Sequence, residues 1–125
     1  MHFAPALSRP ELVETVVGRL RTHFTPRGVL EARAIEARLH DQTWNSPEYD
    51  VLPRLGEHRI PTLVLHGDAD FFPVRISRNI ADAIPGARFV VLPGCGHFAY
   101  LERTAETFAA IRSFLREREV SFAPA

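Results

Sequence analysis

The chain has 125 residues, of which 46% are hydrophobic, with fifteen basic and fifteen acidic side chains. That is enough for one compact domain and too apolar for a compositionally disordered chain. A formal net charge of zero provides no long-range field toward nucleic acid or an anionic membrane, so neither is expected as a partner.

The N-terminal MHFAPALSRP has no basic segment leading into an apolar run, so it does not read as a secretory signal. No apolar run approaches the roughly 18 residues of a membrane span. Cys95 is the single cysteine, which excludes an internal disulfide. A soluble, cytoplasmic protein is the expectation.

Ser8-Arg9-Pro10-Glu11 has the spacing of a capping box that opens a helix. Leu12, Val13, Val16, Val17, Leu20 and Phe24 then form one apolar stripe at helical intervals. Thr25-Pro26 caps a second helix that reaches about His40, with Leu30, Ile35 and Leu39 set among glutamates and arginines. Asp41 to Glu57 contains Pro47, Pro53 and Gly56 and is expected as loop with short helical turns. Ile60-Pro61-Thr62-Leu63-Val64-Leu65 is an apolar run ending at Gly67, suited to a strand covered on both faces. Ile76, Ile80 and Ile84 mark one face of a helix that Pro85-Gly86 stops. Phe89-Val90-Val91-Leu92 is a second buried strand, and Pro93-Gly94-Cys95-Gly96 is a tight loop delivering His97. Thr104 caps a last helix with Phe108, Ile111 and Leu115 inward, fraying near Val120 into a loose tail from Ser121 to Ala125. The class is α/β: two helices, a linker, then β-α-β-α with parallel strands.

Ligand and catalytic groups of open α/β sheets collect at the carboxyl ends of the strands. Asp70 follows the first strand and His97 the second. If the strands are parallel, both groups rise from one edge. A carboxylate then orients the imidazole and leaves its other nitrogen free as a base. Asp70 also suits a turn or helix cap, and that alternative stands beside the first.

The stretches IPTLVLHGDAD, FFP and IPGARFVVLPGCGHFAYLE resemble the C-terminal part of an α/β-hydrolase, over about Tyr49 to Leu115. They are most similar to capped members such as prolyl aminopeptidases and related esterases. The resemblance implies that residues 42–125 are the C-terminal part of the hydrolase core and residues 1–41 the tail of a helical cap. It implies Asp70 as triad acid, with Asp68 the alternative, and His97 as triad base. The substrate class it implies is a small ester or amide, and no cofactor or metal is expected.

In this family the nucleophile is the serine of G-x-S-x-G, earlier in the chain than acid and histidine. The serines here, at 8, 46, 77, 113 and 121, lie in no such motif, and Ser8 and Ser46 read as helix caps. The chain is therefore expected to need an N-terminal half and to be inactive alone. Cys95 is a poor substitute, since it lies two residues from His97 and suits a packing role. His66, at the strand end, is expected to hydrogen-bond the loop, and Gly67 to need positive φ. Phe71, Phe72, Phe98 and Tyr100 line an apolar pocket or serve as core and cap contacts. Trp44 stands at the cap-to-core junction. No zinc-ligand spacing and no glycine-rich phosphate loop is present. The alternative function is a non-catalytic interaction module that self-associates or binds a partner chain through an exposed sheet edge. A cysteine hydrolase built on Cys95 is the third reading.

Overall fold

The computed structural model describes residues 7–46 and 48–122. A short 3-10 turn, Pro10–Leu12, leads into α1 (Val13–His23). Then come α2 (Pro26–Leu39), a π turn at His40–Trp44 and a second 3-10 turn at Leu52–Glu57. The second half contains β1 (Leu63–Gly67), α3 (Val74–Ala83), β2 (Arg88–Leu92), α4 (Ala99–Glu102) and α5 (Thr104–Phe122).

The strands are parallel, in a register that sets Leu63 beside Arg88 and Gly67 beside Leu92. The pairing extends beyond both ends of β1. Arg88 N–H donates to Thr62 C=O at 2.9 Å, and Asp68 N–H donates to Leu92 C=O at 3.1 Å. The crossover through α3 ends in a turn where Gly86 takes φ +70°, a left-handed backbone that favours glycine. The helices α3 and α5 pack against both strands. Buried apolar side chains are Leu7, Val16, Ala81, Ile84, Leu92, Cys95 and Phe114.

Helix starts follow the sequence unevenly. The Thr25 hydroxyl accepts the Gly28 N–H at 3.0 Å, the expected cap of α2. The capping box at Ser8 does not form: Arg9 is the N-cap of the 3-10 turn, with no side-chain cap bond. Ser8 is drawn instead to buried Glu102, 94 positions away, because a carboxylate is the stronger acceptor. The Ser46 hydroxyl accepts the Glu48 N–H within a turn and caps no helix. Thr104 donates back to Tyr100 C=O at 2.9 Å rather than capping α5.

Coverage of the apolar faces is incomplete. The strands were expected to be covered on both sides, yet Leu63, Val64 and Leu65 are only half-buried. On α5, Phe114 and Thr107 are buried, while Phe108 and Leu115 of the expected inner face are exposed. On α2 no residue is buried, and Leu30 is 69% exposed. Two strands and their helices have too little surface to bury every apolar face presented. Of the α1 stripe, Val16 is buried and Phe24 exposed; the Leu20 side chain lies outside the described residues. The last helix runs to Phe122, beyond the expected fraying point, and 123–125 lie outside the described residues. No helix among the described residues is long and apolar enough to cross a membrane.

Candidate active site

The carboxyl ends of β1 and β2 are knitted into one structure. The Asp70 N–H donates to Gly67 C=O at 3.1 Å, which closes a tight turn after β1. From that turn Ala69 N–H reaches across to Cys95 C=O at 2.9 Å. The approach is close enough to require glycine at 67: a Cβ there would lie 2.2 Å from the Cys95 carbonyl oxygen. Close backbone approach, not positive φ, therefore explains Gly67, while Gly94 in the second loop does take φ +57°. The Asp68 carboxylate braces that loop, with Oδ1 accepting Gly94 N–H at 2.6 Å and lying 3.4 Å from Cys95 N.

Asp70 makes two contacts, one with each carboxylate oxygen. Its Oδ1 accepts the Phe72 N–H at 3.0 Å, an Asx turn before α3. Its Oδ2 lies 2.9 Å from His97 Nδ1. The Asp70 side chain is 7% exposed and that of His97 41%, so the carboxylate is enclosed while the imidazole faces outward. An ionised carboxylate only accepts, so the bond fixes the proton of neutral His97 on Nδ1. Nε2, with its lone pair, has no hydrogen-bond partner among the described residues. Phe71 and Phe98 flank the ring, with centroids 4.8 and 5.4 Å from it. Asp70, Phe72 and His97 line a cavity of about 340 Å³, together with His66, Ser77 and Ile76. Phe71 and Tyr100 are exposed beside it without lining it.

The remaining candidates are committed elsewhere. His66 donates from Nε2 to Phe72 C=O at 3.0 Å, and its Nδ1 accepts from the Ser77 hydroxyl at 2.8 Å. This serine–histidine pair is oriented by a neutral carbonyl, which stabilises an imidazolium less than a carboxylate does. It ties β1 to α3. Cys95 is fully buried, with Sγ 3.5 Å from Gly96 C=O. Burial pushes its thiol above the ordinary value, as does the nearby Glu102 charge, so the reactive thiolate is disfavoured. No group of His, Cys, Asp and Glu among the described residues is arranged to hold a metal ion. Trp44 is exposed on its π turn.

Two residues at the site were missed in the sequence. Glu102 and Arg103 both hold the histidine loop, Arg103 through Nε and Nη2 to Gly94 C=O at 3.3 and 3.2 Å. The available signal was an acid inside the otherwise apolar FAYL-E turn, five residues after His97.

The sequence pattern of the "Alpha/beta hydrolase family" matches residues 2–111. The chain belongs to the alpha/beta hydrolase family. Among its relatives within the family is a proline iminopeptidase of Lactobacillus crispatus (strain ST1). That protein is 27% identical over 84 residues, covering 67% of this chain and 26% of the relative. A 2-hydroxy-6-oxo-6-phenylhexa-2,4-dienoate hydrolase of Comamonas testosteroni is 39% identical over 71 residues, 56% of this chain and 25% of its own. The solved structure of Est816, an N-acyl homoserine lactone degrading enzyme, is 27% identical with a TM-score of 0.63, over 90% of this chain and 44% of its own. The chain thus spans about a quarter of the length of these curated relatives. The parallel sheet and its helices are a partial alpha/beta-hydrolase domain, as the sequence implied.

Proposed function

We propose that this alpha/beta hydrolase contributes the acid and the base of a Ser-His-Asp triad to the hydrolysis of a small ester or amide. One observation carries the reading: Asp70 Oδ2 stands 2.9 Å from His97 Nδ1, at the ends of consecutive parallel strands, on a cavity wall. The nucleophile is a serine in G-x-S-x-G, supplied by a segment outside these 125 residues. Its hydroxyl attacks the carbonyl carbon as His97 Nε2 takes the proton. The tetrahedral intermediate collapses as Nε2 returns that proton to the leaving group, and water then repeats the cycle on the acyl-serine. Asp70 keeps the proton of neutral His97 on Nδ1 and stabilises the imidazolium. The half-buried strands and the exposed apolar residues of α2 and α5 support the same reading, since a completing segment or partner chain would cover them.

The test is complementation. The purified chain is assayed on activated esters and amides, alone and mixed with a polypeptide carrying a hydrolase N-terminal half with G-x-S-x-G. Saturable turnover is expected only in the mixture, and Asp70→Asn and His97→Ala are each expected to remove it. Turnover in the mixture that survives His97→Ala refutes the assignment. Saturable hydrolysis by the chain alone that Cys95→Ala abolishes replaces it with a cysteine enzyme.

A further inference from the structure

Glu102 is a carboxylate at the site that none of these steps uses. It is 3% exposed, and a carboxylate so buried is costly unless donors saturate its oxygens. The donors come from two distant parts of the chain. Oε1 accepts Phe98 N–H at 3.3 Å, the amide that directly follows His97. Oε2 accepts Ser8 N–H at 2.6 Å and the Ser8 hydroxyl. The same hydroxyl lies 3.0 Å from Gly94 C=O, but its single proton serves one acceptor at a time and the charged one is stronger.

His97 is thereby bracketed. Before it, Asp68 holds the amide of Gly94 and approaches that of Cys95. After it, Glu102 holds the amide of Phe98. The ring meets Asp70 at 2.9 Å only while the backbone on both sides stays fixed, because the imidazole direction follows the backbone that carries it. We propose that Glu102 is a positioning residue for His97, and that Ser8, by filling Oε2, couples the segment before α1 to the orientation of the base. This deepens the acid–base reading above and rests on it.

The test reads the imidazole directly. The full chain is labelled with ¹⁵N, and the His97 ring nitrogens are assigned by their loss in His97→Gln. Neutral wild-type His97 is expected as the Nδ1–H tautomer. Asp70→Asn sets the value for a released ring. Glu102→Gln is expected to move the tautomer ratio at least half of the way to that value. Ser8→Ala, which leaves every charge in place, is expected to move it in the same direction, and Ser8→Thr to keep the wild-type ratio. If Glu102→Gln and Ser8→Ala both fold, melt earlier and keep the wild-type imidazole, Glu102 only stabilises the fold and the proposal is overturned. If Glu102→Gln does not fold, the Ser8→Ala and Ser8→Thr pair decides by the same criterion. If Asp70→Asn leaves the imidazole unchanged, the acid–base pair itself is refuted, and the positioning role with it.

Discussion

Gly67→Ala adds one methyl group where the loops that carry Asp70 and His97 touch. The new Cβ would meet the Cys95 carbonyl oxygen at 2.2 Å and that of Gly96 at 2.5 Å. Ordinary contact begins near 3.4 Å, so the histidine loop must withdraw by about 1.2 Å, the difference between 3.4 and 2.2 Å. Both obstacles are backbone atoms, so no side-chain rotation relieves the clash. The withdrawal breaks the Ala69 N–H to Cys95 C=O bond, now 2.9 Å, and carries His97 out of hydrogen-bond reach of Asp70. Overpacking of this kind costs about 1–3 kcal/mol and the lost hydrogen bond about 1 more. At roughly 4 °C per kcal/mol for a domain of this size, the melting temperature should fall by about 8–16 °C. Circular dichroism measures the melt, and the His97 ring nitrogens report the Asp70 contact in the same samples. Gly56→Ala is the control, since a Cβ there has nothing within 4 Å. The reasoning is refuted if Gly67→Ala melts within about 2 °C of the wild type, a shift worth only about half a kcal/mol, with His97 unchanged.

The isolated chain should show no saturable turnover of activated esters, and a fluorophosphonate should leave Ser77 unlabelled, read by mass spectrometry of the intact chain. Cys95 should resist iodoacetamide at neutral pH until the chain unfolds. Its pKa is raised in the folded state, so the folded chain keeps a proton that the unfolded chain releases above the ordinary thiol value of about 8.5. The contribution is therefore complete below that value and is lost as pH rises through the folded one. Urea midpoints should fall in that window, and Cys95→Ala should remove this part of the slope. Leu30 and Ile35 are exposed on α2, so Leu30→Glu with Ile35→Glu should lower concentration-dependent association in sedimentation velocity without lowering the melting temperature.

How much of this was legible in the sequence depended on whether the determinant was local. The strand–helix–strand order and the sites of Asp70 and His97 came from short apolar runs and the turns that end them, and the structure keeps all of them. The sequence offers Asp70 two roles as alternatives, but a carboxylate has two oxygens and can make both contacts. Asx turn and imidazole contact occupy one each. The capping box at Ser8 failed because its rival, Glu102, is a long-range acceptor that no window around Ser8 contains. The inner face of α5 was misjudged because apolar residues run round much of that helix. Periodicity cannot choose between Phe108 and Phe114 when the available covering surface decides. Gly67 was recognised as special for the wrong reason, since the crowding atoms lie 28 and 29 positions on, at Cys95 and Gly96.

Three carboxylates surround the histidine loop, and their oxygens are divided by function. Asp68 is turned toward loop amides, Glu102 toward Ser8 and the Phe98 amide, and Asp70 alone meets the imidazole. Asp68 Oδ1 braces the loop at Gly94, where the backbone is left-handed, and the imidazole contact is made by Asp70. The division explains why the Asp70–His97 pair stands preformed on contacts drawn almost wholly from residues 62–104, with Ser8 the exception. On the proposed reading, a completing segment would need to bring only the serine and the oxyanion donors, since Asp70 and His97 are already at hydrogen-bond distance. Preorganisation of this kind lowers the ordering cost of assembling an active site. It follows that complementation should depend far more on how the missing strand edges meet than on any induced movement of His97. Its imidazole tautomer should be the same before and after a partner binds.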